Sequence, residues 1–388
     1  MSGTATLDEA RPTDTTPPSA TAPSRRFGNV AALSGFRGLA VVAVLYHHLP
    51  TVEGPRGFGV MGVSAFFALS GFLLTAVMIR EWDRRGTIGL SEFYRRRVVR
   101  LLPALVLFIP VVVVWTALLG FDETREGLFT IFLVSNWARI NNEPMGVLAH
   151  TWTLAIEAQF YLVAPALFLA AVRGRTAKHP YLLPAALAAA VATWRACLWL
   201  FAGGLVGWAD GGLLIYVTRG TDTRLDAILV GVTVAFVFAR TRVVVPGWLA
   251  VIAMIDLIAM GFADPEGDFM IVGGMAAASI CAGVIVLHLV TSDSRLKQML
   301  GWRPLTLLGL ISYGLYLWHL PVYKLLFYQA PGLPWWLVAT VAVALSVALA
   351  AASYALVERR FLGHRRVPAE VPAKVPAPPA GQREPSAA

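Results

Sequence analysis

Apolar runs of about twenty residues recur along the chain, separated by short polar segments. The first runs from Ala31 to Pro50, AALSGFRGLAVVAVLYHHLP, and the second, FGVMGVSAFFALSGFLLTAVMI, follows the turn TVEGPRG. A third lies at Leu101–Gly120 and holds Pro103 and Pro110, which a membrane helix tolerates with a kink. The fourth covers Val147–Val172 and the fifth ends near Ala202, with an outward-facing loop expected at Gly203–Thr223. Others fall near Leu225–Ala239, Val244–Phe262, Phe269–Val290, Leu305–Val322 and Trp336–Val357. A helix of about twenty apolar residues crosses a hydrocarbon core, so the pattern predicts an all-α polytopic membrane protein with about ten transmembrane helices. One stretch breaks the rhythm. Between Phe121 and Met145, FTIFLVSNW is too short to span and is flanked by Asp122, Glu123, Glu126 and Glu143, so an outer-face loop or re-entrant element is expected there.

Charge adds orientation to this picture. Only 14% of residues are charged, against about 25% in a soluble domain. The net charge of +9 is compatible with a nucleic-acid footprint, but its arginines gather in short segments between spans. REWDRRGTIGLSEFYRRRVVR, RGRTAKH, ARTR and SDSRLKQMLGWR are basic, whereas DPEGD is acidic. The positive-inside rule puts the basic segments and both termini in the cytoplasm of a multi-pass protein of the cell membrane. The lipid bilayer is therefore a partner and nucleic acid is not. Residues 1–26, rich in Thr, Pro, Ser and Ala, read as a disordered tail without signal-peptide features. Residues 27–366 form the membrane domain, and 367–388 a second, Pro/Ala-rich disordered tail. Cys197 and Cys281 sit in apolar runs with no disulfide or metal spacing, and no metal site is expected. No internal repeat of fixed period is evident.

Ionisable residues inside spans are costly and usually functional. Arg37 and His48 share the first span, roughly 16 Å apart along a helix rising about 1.5 Å per residue. The plainer reading is that Arg37 snorkels to the inner headgroups and His48 anchors at the outer interface. The functional one gives the helix a cation for an anionic ligand and a base for chemistry deeper in, since imidazole accepts a proton near neutral pH. His47 points about 100° away from His48, so only one of the two is expected to face a given cavity. Arg97 and Arg100 in FYRRRVVRLLP lie on one helix face, where guanidinium groups suit phosphates. An ordinary positive-inside cluster would look similar.

In HTWTLAIEAQFYL, His150, Thr153, Glu157 and Tyr161 recur at helical spacing, and Glu157 needs a partner or a wet cavity, with Arg195 as one structural partner. Asp222, Arg224 and Asp226 in TDTRLDAILVG sit at the expected outer start of a span, as a substrate contact or as local ion pairing. His319 precedes Pro321 in ISYGLYLWHLP, and Glu358 in SYALVERRF reads as an interfacial ion pair. Asp256 and His288 are lone polar groups without a specific reading. No Walker motif, HExxH or GxSxG elbow occurs. Ser64 and Ser70 in GVSAFFALSG lack the elbow context.

These segments in this order, RGLAVVAVLYHH, GVSAFFALSGFLL, FYRRRVVRLLP, HTWTLAIEAQFYL, TDTRLDAILVG, ISYGLYLWHLP and SYALVERRF, resemble acyltransferase family three, the integral-membrane O-acyltransferases. The resemblance covers nearly all of Phe36 to Phe361. It implies about ten helices around a central pore. An acyl-CoA donor would enter from the cytoplasm, and its acyl group would pass to a hydroxyl of a sugar-containing acceptor. The family's pattern of an Arg, ten residues and a His maps onto Arg37 and His48, its Arg-x-x-Arg onto Arg97 and Arg100, and its motif Glu onto Glu157. Where many members have an acid in GVDxFF, Ser64 stands here. Many members also carry a C-terminal extracytoplasmic hydrolase-like domain, whereas here the membrane domain alone is expected to meet the acceptor. The compact length resembles members acting on sugars of secreted antibiotics such as macrolides.

The expectation is thus a membrane O-acyltransferase. Its catalytic residues would be His48 and Glu157. Arg37, Arg97 and Arg100 would bind the donor, and His150, Asp222, Arg224, Asp226 and His319 would bind the acceptor. Polar groups along spans would also suit a proton-coupled exporter, and the ordered motifs favour the enzyme. Direct transfer and an acyl-His intermediate are both open.

Overall fold

The computed structural model describes residues 31–49, 54, 56–202 and 212–361. Both predicted tails and the first part of the expected loop 203–223 lie outside these residues. Among the described residues the chain is entirely helical. In order, the helices are α1 (Ala31–His48), α2 (Phe58–Arg85), α3 (Leu90–Leu118), α4 (Thr124–Ile131), α5 (Ser135–Ile140), α6 (Trp152–Arg173), α7 (Leu182–Phe201), α8 (Gly212–Arg219), α9 (Thr221–Arg240), α10 (Gly247–Met260), α11 (Met275–Thr291), α12 (Arg295–Leu300), α13 (Arg303–Gln329) and α14 (Trp335–Ser353). Single turns of other pitch extend three of them: a 3₁₀ turn, Gly146–Thr151, before α6, and π turns before α11 and after α14.

Seven of the described helices are long and apolar enough to cross a membrane. They are α2, α3, α6 with its leading turn, α7, α11 with its π turn, α13, and α14 with its extension. The three remaining predicted spans correspond to α1, α9 and α10. Arg37, His47 and His48 lower the apolarity of α1, and Asp222, Arg224, Asp226 and Arg240 lower that of α9. Gly247–Met260 has 14 residues. The residues that depress the apolar signal in α1 and α9 are those with candidate chemistry. The stretch after α3 folds as the short helices α4 and α5, and α8 occupies part of the segment expected as a loop.

Local sequence explains where helices stop. Gly86 ends α2 in the left-handed region at φ 66°, a conformation that only glycine adopts readily. Ser294 caps α12, its hydroxyl accepting from the Lys297 N–H at 3.1 Å, and so satisfies one orphan donor of the first turn. The basic segments share one end of the bundle, where Arg240 pairs with Asp83 at 2.6 Å and joins α9 to α2. Tyr313 also donates to the Leu101 carbonyl at 3.0 Å there. We call this the basic end; α1 begins at it and α14 finishes at it. At the far end, His47 bonds the Arg56 carbonyl at 2.7 Å and Lys324 donates to the Gly146 carbonyl at 2.6 Å.

In lipid, where apolar side chains gain little by leaving the tails, close backbone approach through small residues carries much of the helix association. Gly38 of α1 and Gly309 of α13 each lie where a Cβ would overlap a backbone carbonyl of the other helix, Leu305 and Ser34 respectively. Gly71 of α2 and Gly231 of α9 make the same reciprocal contact through Ile228 and Ala68. These two contacts put α1 and α2, which also pack on each other, at the centre. Of the most apolar stretch of α2, 78% is buried, against 17% for α7 at the periphery.

Candidate active site

Among the described residues, two of the interior cavities share a common wall. The far-end cavity, about 250 Å³, is lined by His47, His48, His150, Arg219, Arg224 and Lys324 among others. The inner cavity, about 60 Å³, is lined by Arg37, Ser70, Arg100, Glu157, Tyr313 and their neighbours. Val63 and Tyr316 belong to both linings, so these two side chains stand between Arg37 and His48.

At the far end three imidazoles converge. His319 is fully buried, and its Nδ1 lies 2.7 Å from the Tyr316 carbonyl. A carbonyl only accepts, so that nitrogen carries the proton and Nε2 holds the lone pair. His48 Nδ1 lies 3.0 Å from the Val44 carbonyl and 3.2 Å from His319 Nε2. The same logic makes His48 Nδ1–H a donor shared between the two. His48 Nε2 is then the free lone pair on the cavity wall. His150 donates from Nε2 to the Leu317 carbonyl at 3.1 Å, which leaves its buried Nδ1 without a partner among the described residues. Its ring centroid lies 5.1 Å from that of His319. No group of three or more His, Cys, Asp or Glu that could hold a metal occurs among the described residues.

The helical stripe on α6 forms as the spacing predicts, but its members serve different cavities. Thr153 shares a 2.6 Å hydrogen bond with the Tyr316 hydroxyl, which also donates to the His150 carbonyl at 2.6 Å. These bonds fix the side chain between the cavities. Glu157, one turn below, accepts from Ser70 and from Tyr161, so its in-span partners are hydroxyls and not Arg195. Arg195 instead pairs with Asp226 at 2.8 Å, with both side chains buried. Asp222 accepts from Tyr216 at 2.7 Å and from Trp194 at 3.0 Å. Thus only Arg224 of the TDTRLDAILVG triplet lines the far-end cavity; Asp222 and Asp226 order α8, α9 and α7 around it.

Arg37 and Arg100 face the inner cavity without an ion pair among the described residues. Arg97 lies outside its lining, with its guanidinium 5.6 Å from the Tyr161 ring centroid and a buried, unpartnered Nε. Two expectations change, and one residue without a reading gains one. His47 and His48 both line the far-end cavity, because it wraps around the end of α1. Glu358 is buried against Ser353 at 3.5 Å and forms no ion pair among the described residues, since the helix turns it inward beside Gly314. His288 is a structural partner, bonded to the Val245 carbonyl and Ser294.

Tyr316, Arg219 and Lys324 were not singled out from the sequence, and Ser70 was named there only as a serine without an elbow. Tyr316 was detectable, three residues before His319 on one helix face. Ser70, in apolar surroundings on α2, carried no signal of its own.

The arrangement is chemically specific. A free imidazole lone pair faces a cavity large enough for a sugar, with its tautomer held by a second imidazole. An inner cavity presents unpaired guanidinium groups, which suit phosphate or other anions. The acyltransferase family 3 model, an acyltransferase domain, matches residues 30–355. The chain is 32% identical over 329 residues to the peptidoglycan O-acetyltransferase OatA of Listeria monocytogenes, covering 78% of this chain and 50% of that protein. It is 31% identical over 311 residues to the O-acetyltransferase OatA of Staphylococcus aureus, covering 75% and 50%. The chain spans about half the length of the curated relatives it matches. No solved structure matches.

Proposed function

This chain belongs to acyltransferase family 3, and from that membership we propose that it carries an acyl group from a coenzyme A thioester to a hydroxyl of a sugar-containing acceptor. It is a multi-pass protein of the plasma membrane. The donor approaches at the basic end, the cytoplasmic side by the positive-inside rule. The acceptor occupies the far-end cavity. The observation that carries this reading is the pair of cavities divided by Val63 and Tyr316, with Arg37 and Arg100 lining the one nearer the basic end and the His48 lone pair facing the other.

The inner cavity of about 60 Å³ admits a slender arm and not a nucleotide. The donor's phosphates therefore stay at the mouth with Arg97 and Arg100, while its pantetheine arm passes Arg37 toward Tyr316. Passage to His48 requires the Val63–Tyr316 wall to part. His48 Nε2 takes the proton of the acceptor hydroxyl as its oxygen attacks the thioester carbonyl. Collapse of the tetrahedral species breaks the C–S bond, and the thiolate recovers the proton from His48. While His48 is cationic, its Nδ1–H points at the His319 lone pair, which stabilises the charge in a low-dielectric setting. Glu157, held by Ser70 and Tyr161, lies by the donor arm and not by His48. Its role is to order the inner cavity and balance Arg37 and Arg100. The relatives' names point to peptidoglycan as the first acceptor to test. Purified protein given an isotope-labelled acetyl-CoA and an amino-sugar oligosaccharide should yield an oligosaccharide heavier by one acetyl group, as read by mass spectrometry. Export of the unmodified sugar without any mass increment would favour a transporter instead.

A further inference from the structure

Arg224 is the most deeply buried cation in the far-end cavity wall and forms no ion pair among the described residues. Its side chain is 1% exposed, and its Nη1 rests 2.7 Å from the Met275 thioether, a weak acceptor. Its Nε has no hydrogen-bond partner among the described residues. The nearest carboxylate along α9, Asp226, is committed to Arg195 at 2.8 Å. A buried guanidinium left this way is costly unless something anionic completes it. The cavity repeats the imbalance, since Arg219, Arg224 and Lys324 face one carboxylate, Glu266, in its lining. Arg219 forms no side-chain ion pair among the described residues, whereas Lys324 is already turned to the Gly146 carbonyl.

We propose that Arg224, with Arg219, forms an oxyanion-binding subsite in the acceptor cavity, so that the acceptor is a carbohydrate bearing a carboxylate or phosphate beside the hydroxyl that His48 activates. The inference rests on the reading that this cavity takes the acceptor, and it narrows the acceptor's class. A planar guanidinium fork grips either anion in bidentate fashion. Fixing the anion at α9 orients the sugar across the cavity toward α1, where the His48 lone pair waits. The subsite also explains why the triplet arginine alone faces inward. Its two acidic neighbours accept from Tyr216, Trp194 and Arg195, and among the described residues neither is hydrogen-bonded or ion-paired to Arg224.

The test is direct binding, without donor, to full-length protein in lipid nanodiscs. The probes are an N-acetylglucosamine oligosaccharide containing N-acetylmuramic acid, its methyl ester, and a 6-phosphorylated N-acetylglucosamine oligosaccharide with its neutral parent. The wild type is expected to bind at least one anionic form tenfold or more tightly than its neutral counterpart. Arg219→Gln and Arg224→Lys should shrink that preference severalfold. Arg219→Gln alters a partly exposed side chain and guards against misfolding at Arg224. A carboxylate preference identifies an acidic sugar, and a phosphate preference a phosphorylated one. Equal binding of anionic and neutral forms, or a preference unchanged in both variants, overturns the subsite. Acyl transfer to neutral and anionic sugars with equal efficiency would retain the acyltransferase and discard the subsite. An anion preference without transfer to any sugar would do the reverse.

Discussion

His48 Nδ1 and His319 Nε2 lie 3.2 Å apart, on helices that meet through the reciprocal glycine contact of Gly38 and Gly309. The direction of this hydrogen bond follows from the two carbonyls behind it, Val44 and Tyr316, which require a proton on each Nδ1. His319 is therefore a positioning residue. Together with the Val44 carbonyl it holds the His48 tautomer whose lone pair faces the far-end cavity.

His319→Ala is expected to lower kcat by roughly ten- to a hundredfold, about 1.4 kcal/mol of barrier per tenfold. KM for the donor should change little. His319→Gln, which can still present an acceptor to His48 Nδ1–H, should recover part of the loss. Steady-state kinetics with both variants checks this. A variant that loses donor affinity but keeps kcat would show that His319 binds substrate instead.

Arg37 and Arg100 should act at the donor end. A hydrogen bond to a charged group contributes about 1.5–3 kcal/mol, so Arg100→Gln is expected to raise the donor KM by roughly ten- to a hundredfold. The acceptor KM should stay near its wild-type value. Raising ionic strength should weaken donor binding in the wild type more than in the variant, because the phosphates meet Arg97 and Arg100 at a wet mouth. Isothermal titration with desulfo-coenzyme A measures this, and equal affinity in the two proteins would remove the donor role.

The α1–α13 contact leaves no room for a side chain at Gly309, where a Cβ would meet the Ser34 carbonyl. Gly309→Val should push the helices apart, at a cost of about 1–3 kcal/mol or more. It should also separate His48 from His319. Thermal unfolding in detergent should show a lowered midpoint, and the activity of the surviving folded fraction should fall as well. A folded variant of full activity would mean the two helices need not approach closely.

The Arg195–Asp226 pair joins α7 to α9 with both side chains out of water. Removing one partner leaves an uncompensated buried charge, so Asp226→Asn should destabilise by about 3–5 kcal/mol. The double variant Arg195→Leu with Asp226→Leu should regain most of the lost stability. Activity per folded molecule should recover with it, since neither residue lines the His48 cavity. Failure of the folded double variant to turn over would return Asp226 to the list of acceptor contacts.

Much of the bundle was legible because lipid imposes one rule on every span: a long apolar helix. The spans that met the rule poorly, α1 and α9, were those loaded with Arg37, His47, His48, Asp222, Arg224 and Asp226. Helical spacing also placed His150, Thr153, Glu157 and Tyr161 on one stripe. It could not say that Tyr316 of α13 crosses that stripe and divides the cavity, because that depends on which helices meet. Nor could spacing separate Arg224 from its acidic neighbours. The partners that occupy Asp222 and Asp226, namely Trp194, Tyr216 and Arg195, come from α7 and α8 and are brought there by packing alone.

The most direct test of the account is acyl transfer by purified wild-type and His48→Ala proteins in liposomes, at matched amounts of folded protein. Isotope-labelled acetyl-CoA would be supplied on the basic side and the acceptor on the far side. The account predicts labelled acceptor with the wild type and a rate lower by about 10²–10⁴-fold in the variant, the usual contribution of a positioned general base. Transfer undiminished in His48→Ala would contradict it and leave His47 or His150 to supply the base.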